Sequence, residues 1–178
     1  MKFIRRATQL CFDVFFRKPE PVRAPKPPVR TLRSRPRIRQ EPELRAVWIK
    51  LRAEYFPEQP DLDSYRLNWS NRKHRYTLAS CNSSIRRVSI ATVMQLPEAA
   101  PYLEALVYHE MCHAALGKPQ RVNGRRVIHG RDFKALEQRH PGVRPLDAWI
   151  KTGGWRKAVK QFRRQQTIQA RLSSSARA

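Results

Sequence analysis

A chain of 178 residues has room for one ordinary hydrophobic core with appended sequence. Its three cysteines, Cys11, Cys81 and Cys112, lack CxxC spacing and exclude both a disulfide framework and a zinc ribbon, which fits a reducing, cytoplasmic setting. No apolar run approaches the roughly 18 residues that a membrane-spanning helix needs. The formal net charge of +23 is unevenly spread: residues 1–42 hold 12 basic and 3 acidic side chains, residues 43–150 hold 17 and 11, and residues 151–178 hold 8 and none. Polycationic ends therefore flank a more ordinary domain.

In chain order, Phe3, Ala7, Leu10, Cys11, Val14 and Phe15 recur at steps of three and four, which predicts a short basic amphipathic helix over residues 1–18. Such a helix packs on the domain, binds an anionic membrane surface or partner, or serves as an organelle transit sequence. Asp13 interrupts its apolar patch and no small-residue cleavage site follows, so a secretory signal is not expected. Residues 19–42 hold seven of the fourteen prolines, interleaved with arginines, and read as an extended solvated linker. The folded domain is expected over 43–150.

Leu44, Val47, Trp48, Leu51, Tyr55 and Phe56 have helical spacing, stopped by Pro57. Three strands are expected next, at 64–70, 75–81 and 85–91, forming an antiparallel meander. One helix of about five turns is then expected from Pro97 to Gly117. Residues four apart share a helix face, so His109 and His113 of the sequence His-Glu-Met-Cys-His can aim both imidazoles at one ion. Glu110 flanks that site where its carboxylate can reach a water without being a ligand. Neutral imidazoles hold Zn²⁺ without cancelling its charge, and the carboxylate serves as general base toward a peptide carbonyl. With five His and nine Glu in 178 residues, chance would produce this pattern in roughly 0.7 % of such chains.

A catalytic zinc needs a third protein ligand. His129 leads, at the entrance to a helix patterned by Phe133 and Leu136; Glu137 and His140 are the alternatives. Tyr102, Arg125, Arg126 and His140 are candidates for stabilising an oxyanion. Cys112 turns away from the ligand face and reads as a buried thiol, His74 as solvated in a turn, and Trp48, Trp69 and Trp149 as core. Residues 151–178 suggest a basic helix and tail, with Trp155, Val159 and Phe162 on one side and Arg156, Lys157, Lys160, Arg163 and Arg164 around it. It packs its aromatic face on the domain, lies on nucleic acid, or meets an acidic membrane or protein partner.

HEMCH followed after fifteen residues by HGRDF resembles the HExxH and HGxxF signature of the SprT-like metalloprotease domains, and Asn68 to Arg72 is similar to that family's Trp-containing first strands. The resemblance covers roughly residues 43–145. It implies an α+β, minimal zincin-like domain in which a small antiparallel sheet and flanking helices support the zinc helix, with His109, His113 and His129 as Zn²⁺ ligands and Glu110 as catalytic base. The best-known members, the Spartan-type proteases, cleave proteins crosslinked to DNA. The implied partners are a protein or peptide substrate and, through the basic ends, nucleic acid; a monomer is expected, nucleoid-associated or nuclear if it binds DNA. Two departures stand out: the four-cysteine zinc ribbon of many members is missing, and Ala79-Ser80 stands where relatives commonly place a glycine.

Overall fold

A computed structural model describes residues 40–70, 77–117, 120–122 and 125–175. The expected helix over 1–18, the linker up to residue 39 and His74 lie outside the described residues. Helix α1, Pro42–Tyr55, starts on a proline, whose missing N–H costs nothing in a first turn. It buries Leu44, Trp48 and Leu51 at helical spacing. The Trp48 indole N–H donates to the Leu62 carbonyl at 2.9 Å, so that side chain enters the core with its polar atom satisfied.

Three strands follow, β1 (Arg66–Ser70), β2 (Ala79–Asn82) and β3 (Arg87–Ala91). They do not form the expected antiparallel meander. The order is β1-β3-β2, with β1 and β3 parallel and β2 and β3 antiparallel, a mixed sheet. The reason lies in composition. Val88, Ile90 and Ala91 of β3 are all buried, which suits the central position, whereas Ser80 and Asn82 of β2 are exposed and suit an edge. A tight turn between β2 and β3 is held by the Asn82 side chain, which accepts the Ile85 N–H at 3.3 Å.

The helix expected from Pro97 onward is also shorter than its apolar pattern. Two 3-10 turns, Thr92–Gln95 and Ala100–Tyr102, lead into α2, Leu103–Leu116. Pro97 and Pro101 offer no N–H and disfavour the α conformation in the residue before them, so the regular helix starts only after the second proline. Its end is where the sequence puts it. Gly117 has φ 66°, and its N–H donates to the His113 carbonyl at 3.1 Å. Ala105 to Tyr108, Glu110 to Cys112 and Ala114 are buried, so α2 is enclosed on most of its circumference and forms the centre of the domain.

Beyond α2, β4 (Gln120–Val122) and β5 (Arg125–Val127) make a two-stranded hairpin that pairs Arg121 with Arg126. Helices α3 (Arg131–Glu137) and α4 (Val143–Lys151) then return along α2. Helix α5 runs from Gly154 to Ser175, and Trp155, Ala158 and Val159 pack it into the core. A Cβ at residue 154 would collide with the Trp149 indole, so glycine is required for that close approach. The tryptophans behave as core. Trp48 is buried, Trp69 packs against the core, and Trp149 stacks on Tyr102 at 4.7 Å and meets Trp155 edge-on at 6.5 Å. Among the described residues no helix is long and apolar enough to cross a membrane.

Candidate metal centre

The 3.6-residue period brings His109 and His113 to one face of α2, where their Nε2 atoms lie 3.2 Å apart. His129 enters from the segment just before α3, its Nε2 3.1 Å from that of His113. Three imidazole nitrogens thus converge, within 4.8 Å of one another. A tetrahedral ion with Zn–N bonds of about 2.0–2.1 Å would separate its nitrogens by about 3.3 Å, close to the spacings seen here. The donor set suits Zn²⁺, and its three neutral nitrogens leave a fourth position for water or substrate.

Electrostatics agree with ligand duty. Burial, reinforced by His109 and His129, pushes His113 down to about 2, and burial with His109 pushes His129 down to about 4. Both rings therefore keep their lone pairs at neutral pH. His109 differs. Burial lowers its pKa, but the hydrogen bond to Glu137 and the charges of Glu110, Glu137 and Asp147 outweigh that, and the net direction is up.

Phe133, 2 % exposed, forms the floor. Its ring centroid lies 4.5 Å from that of His113, 4.6 Å from His129 and 5.1 Å from His109. The phenylalanine of HGRDF is thereby explained, because one aromatic in the first turn of α3 supports all three imidazoles.

Glu110 is 2 % exposed, and its Oε2 is buried with no hydrogen-bond partner among the described residues. Burial pushes its carboxyl up to about 7 against the lowering pull of His109. An orphaned carboxylate oxygen costs free energy that a positive ion or a bound water next to it offsets, so this atom also fits a metal site. Cys81 of the edge strand β2 is near enough to feel Glu110, while burial is the larger cause of its rise to about 12.

The two alternative third ligands stand elsewhere. Glu137 Oε1 is 2.6 Å from His109 Nδ1, the ring nitrogen facing away from the converging Nε2 atoms. His140 is buried against Tyr108 at 4.9 Å and Tyr55 at 5.5 Å; its Nδ1 accepts the Gly142 N–H at 3.1 Å and its Nε2 lies 3.6 Å from Glu104. Neither belongs to the converging group. Tyr102 is engaged with Trp149. Cys112 is fully buried, and burial first, then Glu137, pushes its thiol up to about 12, the inert structural thiol that helical geometry predicts.

An α+β domain in which a central helix carries two histidines and a glutamate, and a following segment adds a third histidine, defines a minimal zincin-like protein. The sequence profile of the SprT-like family matches residues 44–148, more than half of the chain, and the chain belongs to that family. Zinc metallopeptidase-type chemistry is the family's general character. No curated protein and no solved structure matches the chain.

Proposed function

We propose that this protein is a zinc-dependent endopeptidase that acts on proteins associated with nucleic acid. The observation that carries the reading is the convergence of three imidazole nitrogens beside a buried, unpartnered glutamate oxygen. His109, His113 and His129 would hold the Zn²⁺, which supplies a polarised water and a Lewis acid for the scissile carbonyl. Glu110 takes the proton of the attacking water and passes it to the leaving amine. Burial raises this carboxyl to about 7 and a bound cation would draw it back down, which keeps it ionised as a base at neutral pH. The far edge of β2 pairs with no strand among the described residues, and β2 lies along α2. An extended substrate added to that edge would run past Glu110 with its backbone held by ladder hydrogen bonds.

Helix α5 supports the nucleic-acid part. At 100° per residue, Arg156, Lys157, Lys160, Arg163, Arg164 and Arg171 fall within an arc of about 120°, opposite the docked Trp155, Ala158 and Val159. All six are exposed and the stripe runs for about 22 Å on a helix that carries no acidic residue of its own. The test is cleavage of a DNA-bound protein by wild type and by Glu110→Gln with equal zinc content. Loss of cleavage in the variant alone supports the enzyme. If wild type cleaves nothing with or without DNA, a nucleic-acid-binding protein with a structural zinc site becomes the better reading.

A further inference from the structure

We propose that Glu137 is a positioning residue of the metal centre, accepting the Nδ1–H of His109 so that the Nε2 lone pair of that ring points at the ion. An imidazole has two nitrogens and, when neutral, one proton, and only the bare nitrogen can ligate. Glu137 decides which one is bare. Its Oε1 lies 2.6 Å from Nδ1, a short charge-assisted distance, while Nε2 of the same ring lies 3.2 Å from His113 Nε2 on the converging side. The two ring nitrogens point their lone pairs in diverging directions. A carboxylate seated on one cannot join an ion seated on the other.

The fold holds this pair in register from both sides. Tyr108 and His109 are neighbours on α2, and Leu136 and Glu137 are neighbours at the end of α3. The Tyr108 hydroxyl donates to the Leu136 carbonyl at 2.8 Å, one residue away from the His109–Glu137 pair on each helix. Two consecutive bonds therefore fasten the C-terminal end of α3 to α2, with Phe133 packed on all three imidazoles at the other end. The segment from His129 to Glu137 delivers the third ligand at its start and the orienting carboxylate of the first ligand at its finish. Carboxylates bonded to the outer nitrogen of a ligating histidine fix its tautomer and strengthen it as a donor.

The inference rests on the metal centre and not on peptidase activity, so its test uses zinc alone. Zinc affinity, by chelator competition, and the His109 tautomer, from imidazole ¹⁵N shifts of the metal-free protein, are measured for wild type, Glu137→Ala and Glu137→Gln, with circular dichroism as the check on folding. Wild type is expected to carry its proton on Nδ1. Glu137→Ala should lose about 10–100-fold in affinity and mix its tautomers. Glu137→Gln, whose side-chain oxygen still accepts the N–H, should keep Nδ1–H and recover much of the affinity. Wild-type affinity in Glu137→Ala would overturn the assignment, as would Glu137→Gln behaving no better than alanine. Should alanine fail to fold, Glu137→Gln decides alone: a loss as deep as that of His113→Ala makes Glu137 a ligand and not a positioning residue.

Discussion

Helices α2 and α5 use the same 3.6-residue period for opposite ends. In α2 the buried Glu110 and the half-buried His109 and His113 point toward His129. In α5 the polar residues point outward, and only Trp155, Ala158 and Val159 are buried. Burying imidazoles and a carboxylate is costly unless something compensates, whereas cations left in water cost little. Helix α2 thus supplies two of the three histidines that could hold a metal ion, and α5 turns a basic stripe to solvent. Substitutions in the first should act on chemistry and stability together, and in the second on association alone.

The largest expected effect is at Glu110. Its replacement by Gln should lower the cleavage rate by about 10²–10⁴-fold, the range for losing a general base, with zinc content unchanged. Next comes the floor of the site. Phe133→Ala removes the ring under three imidazoles and should cost about 3–5 kcal/mol of unfolding free energy, measured by urea titration.

Proton competition for zinc should separate the three candidate ligands. His113 and His129, pushed to about 2 and about 4, stay neutral under mildly acidic conditions, whereas His109 is shifted upward. As pH falls through the His109 pKa, one proton and not three must leave for zinc to bind, so affinity should drop about tenfold per pH unit. A drop of two or three orders per unit would mean that the other rings are not held neutral. The same depressed pKa values give the metal-free protein a sign for stability. Histidines that resist protonation when folded contribute stability above about 6.5 that is lost as pH falls toward 4. Glu110, raised to about 7, works in the opposite sense between 7 and 4.5, so Glu110→Gln should steepen the acid loss.

The smallest effect on stability is expected from α5. Lys160→Glu, Arg163→Glu and Arg164→Glu combined lie on exposed turns and should change unfolding free energy by about 0.5 kcal/mol or less per site. If the stripe tracks phosphates, the same variant should bind DNA more weakly and lower the salt slope by about one for each phosphate no longer neutralised. An unchanged slope would leave α5 as a solvated helix that happens to be basic.

The convergence of the three histidines was legible because its information is local. HEMCH needs only the helical period, and His129 at the head of a patterned helix needs only proximity to Phe133. Glu137 was visible as a candidate, but the choice between ligand and orienting carboxylate turns on which imidazole nitrogen it meets, and that is a property of how α3 packs on α2. The sheet was legible as strands but not as topology. Insertion of β3 between β1 and β2 depends on which strand can be buried on both sides, a comparison between strands that period-two alternation does not make. The start of α2 was obscured by apolar residues that continue through Pro97 and Pro101, where backbone chemistry overrides the pattern.

Zinc analysis of purified wild type beside His129→Ala decides whether the converging nitrogens hold the ion. One zinc per chain is expected in wild type, with its loss from a variant that remains folded. Full zinc occupancy in His129→Ala would contradict that expectation, because the converging nitrogens would then not be the site.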